Sequence, residues 1–168
     1  MPPKILTEYP VFNGFTPKTF AWFGGLEKEN TKTYFEANRA IWEAHVRDPL
    51  TGFLAELRDD FPGTVKVHRP NRDVRFSPDK SPYKTTNYGV IMGEGGAYSG
   101  YYAQVSAQGL YVATGVYDMA KDQLARYRAA AGDEKTGKVL EKLVADIRTA
   151  GILVEGEALA GVPRGYPK

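Results

Sequence analysis

An α+β fold is what this sequence predicts: N-terminal helices, a central antiparallel sheet with one face covered by helices, and C-terminal helices. Two observations carry the prediction. Apolar residues recur at helical spacing as far as Phe61, and the period then shortens to strand-like alternation before helical spacing returns from Ala120. The 168 residues suit a single domain, 1–168, large enough to bury about two thirds of the surface of its unfolded form.

Thr16-Pro17 reads as a helix start, an N-cap hydroxyl followed by proline at the first helical position, with Phe20, Phe23 and Leu26 behind it and an end near Gly24-Gly25. Asn30 is placed to cap a second helix whose stripe is Tyr34, Phe35, Asn38, Ile41, Trp42, His45 and Val46. Lys32, Glu36, Arg39 and Glu43 fall mostly on its other side. Asp48-Pro49 repeats the cap-plus-proline signal for a third helix through Leu50, Phe53, Leu54, Leu57 and Phe61, stopped by Pro62-Gly63. "TVKVHR" alternates as a strand. "TTNYGVIMGEGGAY" gives a short strand and a glycine-rich loop, and "GYYAQVSAQGLYVATGVY" gives two strands joined at Ala107-Gln108-Gly109. After Ala120, Leu124, Tyr127 and Arg128 lie at helical spacing. A second C-terminal helix carries Val139, Leu140, Leu143, Val144 and Ile147 as a stripe ending at Gly151. "ILVEGEALAGVPRGY" reads as a short strand and turn.

The chain has no cysteine, which removes disulfides, thiolate catalysis and Cys-ligated zinc. No apolar run approaches the roughly 20 residues that span a bilayer, and "MPPKILTEYPVFNGF" has neither an apolar h-region nor a cleavage site. The expectation is a soluble, cytoplasmic protein without membrane contact. Most sites that composition suggests do not survive their context. "GEGGAYSG" leads into a strand rather than the helix N-terminus a phosphate cradle requires. "HRPNRD" lacks the spacing and companion motifs of a kinase catalytic loop, and no serine stands in a G-x-S-x-G elbow. His45 and His68 lack the close partners of a metal site, and no cofactor is expected. Eleven tyrosines could stack bases, but strand propensity and cross-strand packing explain them more simply.

One stretch remains, "RPNRDVRFSPDKSPYKT". Between Arg69 and Lys84 it sets Arg69, Arg72, Arg75, Lys80 and Lys84 against Asp73 and Asp79, a local excess of +3 in a chain whose net charge is +2. Guanidinium forks suit carboxylate or phosphate, and a turn near Pro70-Asn71 would bring Arg69, Arg72 and Arg75 together. Asp73 fits as an orienting partner or a hard-metal ligand rather than a general base, since neighbouring cations lower its pKa. Ser77-Pro78-Asp79-Lys80-Ser81-Pro82 is turn chemistry that leaves Lys80, Tyr83 and Lys84 on a rigid loop. The site read from these residues is Arg69, Arg72, Asp73, Arg75, Asp79, Lys80, Tyr83 and Lys84, with a small anionic molecule as the partner. In an enzyme, its arginines would stabilise developing negative charge while Tyr83 or Lys80 donates a proton. The competing readings are nucleic-acid or protein binding through the basic loop and tyrosine-bearing sheet, and a purely structural ion-pair loop.

The order Arg69, two residues, Arg72-Asp73, one residue, Arg75-Phe76, then Asp79-Lys80, two residues, Tyr83 resembles the signature of a bacterial conserved hypothetical family, domain of unknown function (DUF) number twenty-four sixty-one. "FNGFTPKTFAWFGGLEKENTKTYFEANRAIWEAHVRDP", "GYYAQVS", "GVY" and "PRGY" are similar to its other blocks. The resemblance implies membership of an uncharacterised family and assigns no activity. His68 stands where members more often carry an aromatic such as Phe. Relatives continue past the "PRGY"-like block, so the chain is expected to lack their C-terminal tail.

Overall fold

The computed structural model describes residues 9–93, 99–116, 118–156, 160–162 and 165–166. The start of the chain, most of the "GEGGAYSG" loop and part of "PRGY" lie outside the described residues. The fold is α+β. Helices α1 (Pro17–Lys28), α2 (Lys32–Ala37), α3 (Arg39–Trp42) and α4 (Asp48–Leu57) precede strands β1 (Thr64–Val67), β2 (Thr86–Met92), β3 (Ser99–Ser106) and β4 (Gly109–Val116). Helices α5 (Lys121–Gly132) and α6 (Glu134–Thr149) follow them. Contacts divide the chain into two units, Met1–Asp118 and Met119–Lys168.

In the first unit the four strands form an antiparallel sheet in chain order. Period-two alternation sends Asn87 and Ile91 of β2 and Ala103 and Val105 of β3 to one face, where all four are buried. Ile91, Ala103 and Val105 pack with Trp22, Phe23 and Leu26 of α1, Phe35 and Trp42 of α2 and α3, Val46, and Leu50 and Leu54 of α4 as one core. Tyr88 and Tyr102 point to the other face.

The helical layer departs from the sequence expectation at four points. Helix α1 begins as expected, with Thr16 extended and its N–H donated to Thr19 Oγ1 at 3.1 Å. It does not end at Gly24-Gly25 but runs on to Lys28. Gly25 is there because a methyl at that position would collide with the Tyr34 hydroxyl, which crosses α1 to donate to the Trp22 carbonyl at 3.0 Å. The second cap is Thr31, whose hydroxyl accepts from the Tyr34 N–H at 3.1 Å, and not Asn30. The stripe from Tyr34 to Val46 is split by Asn38 into α2 and α3, and Ile41 is left exposed.

Asp48-Pro49 starts no separate helix either. A π-helical turn, Glu43–Arg47, runs straight into α4. Pro49 has no N–H to give to the His45 carbonyl, its partner in a regular α-helix. The buried Thr19 hydroxyl supplies that hydrogen bond instead, at 2.7 Å. A proline that would ordinarily end a helix is tolerated because a neighbouring helix satisfies the carbonyl it orphans.

In the second unit Asp133 caps α6, its carboxylate accepting from the N–H groups of Lys135 and Thr136 at 3.1 and 2.9 Å. The helix stops at Gly151, where φ is +80°. The N–H groups of Gly151 and Ile152 return to the Arg148 and Ile147 carbonyls, a Schellman ending. Residues 152–156, expected as a strand, join no sheet. That segment has no strand partner among the described residues.

Candidate functional site

The signature segment leaves β1 and returns to β2 as an irregular loop pinched at its base. Arg72 N–H donates to the Pro82 carbonyl and Lys84 N–H to the Pro70 carbonyl, both at 2.9 Å, so Asn71 and Tyr83 face each other as an antiparallel bridge. In such a pair the two residues between the bonds turn their own N–H and C=O outward, where a further strand would lie. Asn30 occupies that place. Its side-chain amide donates to the Tyr83 carbonyl at 2.9 Å and accepts from the Tyr83 N–H at 3.1 Å, so one carboxamide does the work of a strand. Tyr83 is buried, its ring stacked on Phe35 with centroids 4.3 Å apart.

Beyond this base the loop's charges are largely turned on one another. Arg72 pairs with Asp79 and donates to Ser77 Oγ at 3.3 Å. Arg75 makes a forked pair with Asp73, Nε to Oδ1 at 2.9 Å and Nη2 to Oδ2 at 2.6 Å. Lys80 Nζ donates to the Val74 carbonyl at 3.0 Å and Lys84 Nζ to the Arg69 carbonyl at 2.9 Å. The hydrogen bonds from Arg75 hold the Asp73 carboxyl below the usual carboxylate range, and the pairing raises Arg75. Asp79 is lowered further, first by the Ser81 hydroxyl and N–H and then by Arg72. Lys84 is lowered chiefly by burial and then by Arg69. Arg69 is exposed, and its guanidinium makes no hydrogen bond or ion pair among the described residues.

The sequence-derived residues therefore occupy three places. Arg72, Asp73, Arg75, Asp79 and Lys80 form the self-paired tip, from which Phe76 projects at 94% exposure. Lys84 leaves the base on the face opposite Tyr83 and lies 4.8 Å from the centroid of Tyr88. Arg69 precedes the base, its backbone carbonyl held by Lys84. Tyr83 lines a cleft of about 400 Å³ where the loop base meets the helices. Its walls are Phe35, Trp42 and Tyr83 with Pro70, Asn71 and Pro82, and its rim is Lys32, Glu36 and Arg39. Trp42 is fixed by donating its indole N–H to buried Asn87 at 3.1 Å, and Asn87 in turn donates to the His68 carbonyl at 3.3 Å. Arg39 grips Glu36 through Nε and Nη2 at 3.1 and 2.7 Å, which lowers Glu36 and raises Arg39.

Lys32, Glu36, Arg39, Asn71 and the aromatic pair Phe35–Trp42 were not picked out by sequence reasoning as site residues. The signal that could have found the rim is the spacing 32, 36, 39, which puts the three charges on one helical face. On the other face of the sheet His68, Tyr88 and Tyr102 stack successively, with centroids 4.5 and 5.5 Å apart. Lys84 lies beside the Tyr88 ring. Among the described residues no group of three His, Asp or Glu gathers to hold a metal ion, and no helix is long and apolar enough to cross a membrane.

The family model described as "Conserved hypothetical protein (DUF2461)" matches residues 18–168. No curated protein and no solved structure matches the chain.

Proposed function

The chain belongs to the conserved hypothetical protein family DUF2461, and from its geometry we propose that it binds a small phosphate- or carboxylate-bearing molecule in the cleft at the loop base. The observation that carries this is the cleft's composition. Two cations, Lys32 and Arg39, stand over a rigid aromatic floor with Glu36 as their one carboxylate on the rim. A concave, mostly apolar site with a few convergent polar groups is the usual form of a ligand pocket. Tyr83 is the member of the signature that takes part. Arg72, Asp73, Arg75, Asp79 and Lys80 brace the loop, and Arg69 and Lys84 add positive potential from the far side.

The test is thermal unfolding with added anions. An anion present at about 100 times its Kd stabilises the folded chain by about 2.7 kcal/mol, or roughly 5 to 10 °C in Tm at this size. The K32A/R39A double variant abolishes that rise, and R72A lowers Tm without abolishing it. A rise that survives K32A/R39A overturns the cleft assignment. Loss of the rise in R72A alone would return the site to the loop tip. The second reading, a purely structural loop, is favoured by the forked Arg75–Asp73 pair and predicts no anion-dependent rise at all.

A further inference from the structure

Resting on that anion-binding reading, we infer that the ligand is a flat apolar monoanion, an aromatic or similar ring bearing one carboxylate, rather than inorganic phosphate or a polyphosphate. The charge count is the first ground. Arg39 already spends two of its three nitrogens on Glu36, and Lys32 has no hydrogen-bond or ion-pair partner among the described residues. The rim therefore offers one uncommitted charge, with the free edge of the Arg39 fork beside it. A single acid group satisfies this, whereas a di- or triphosphate would bring several negative charges against a net charge of one and would face the Glu36 carboxylate. The cations that could have answered a polyphosphate are turned elsewhere: Arg72 and Arg75 onto carboxylates, Lys80 and Lys84 onto carbonyls.

The walls are the second ground. Phe35, Trp42 and Tyr83, each nearly buried, line the cleft together with Pro70 and Pro82, and the surface it exposes is more apolar than polar. The walls are held in place beforehand. Asn87 fixes the Trp42 indole, and Asn30 and Phe35 fix Tyr83 by its backbone and its ring. Aromatic surface fixed in this way favours a flat partner without ordering cost, since nothing has to be immobilised when the partner arrives. The Asn71 side chain lines the same cleft and carries no hydrogen bond among the described residues.

The full chain is titrated with phenylacetate, acetate and inorganic phosphate while the indole N–H resonances of Trp22 and Trp42 are followed by NMR. Phenylacetate is expected to shift the Trp42 resonance and to bind at least about tenfold more tightly than acetate or phosphate. K32A should weaken it by about tenfold, and the Trp22 resonance, outside the cleft, should stay in place. If acetate or phosphate binds as tightly as phenylacetate and loses its binding in K32A, the ring-bearing ligand is refuted and the anion site stands. If none of the three moves the Trp42 resonance, both readings fall.

Discussion

Asn30→Ala is the perturbation that bears most directly on how the cleft is built. The Asn30 carboxamide makes two hydrogen bonds to the Tyr83 backbone, at 2.9 and 3.1 Å, and nothing else in the bridge geometry serves those two groups. Each bond is worth about 1 kcal/mol net, and a backbone group left without a partner in a buried setting costs about 1–3 kcal/mol. The expected loss is therefore about 2–4 kcal/mol, or roughly 5 to 15 °C in Tm for a chain of this size. Urea unfolding followed by circular dichroism measures it. Asn30→Asp is the companion variant: it keeps an acceptor for the Tyr83 N–H but sets a charged oxygen against the Tyr83 carbonyl, so it should be no more stable than Asn30→Ala. A loss below about 0.5 kcal/mol in Asn30→Ala, the range of ordinary surface changes, or wild-type stability in Asn30→Asp would refute the view that this side chain stands in for a strand.

Two further outcomes follow from buried groups. Thr19→Val removes the hydroxyl that accepts from Thr16 and donates to His45, and should cost about 2–3 kcal/mol. In a Pro49→Ala background, where an N–H is restored for the His45 carbonyl, the same change should cost about 1 kcal/mol less, and equal costs in both backgrounds would sink that account. His68 has its pKa lowered by burial first and then by Lys66 and Lys84, so the unfolded chain takes up the proton more readily. The stability this provides is complete above the unfolded value of about 6.5 and is lost as pH falls through that region toward the lower folded value. His68→Gln should flatten this slope, and an NMR titration placing His68 at or above the ordinary histidine value would contradict it.

The layer order and the sheet were legible because they rest on period. Alternation placed Ile91, Ala103 and Val105 on one face, and Gly151 marked a helix end that local backbone geometry alone dictates. The breaks in the helical layer were not legible, because each is set by a residue far away in sequence. Gly25 looks like a stop until Tyr34 crosses it, Asp48-Pro49 looks like a cap until Thr19 reaches His45, and Asn30 looks like a cap until Tyr83 is brought against it. The loop's charge count misled for a related reason. Five cations against two carboxylates suggested a surplus awaiting a ligand, but backbone carbonyls of Val74 and Arg69, invisible to any tally of side chains, take up Lys80 and Lys84. Lys32 and Arg39 joined the cleft only through tertiary placement.

The Asn30 clamp also has a bearing on time. It joins residues 53 positions apart, so it cannot close until α1 and α2 have docked on the sheet. The β3–β4 hairpin, by contrast, needs only its own turn. Contacts of long sequence separation carry a larger loop-closure cost than local ones. The clamp therefore depends on tertiary docking of the helices, whereas the hairpin beside it is set by local pairing.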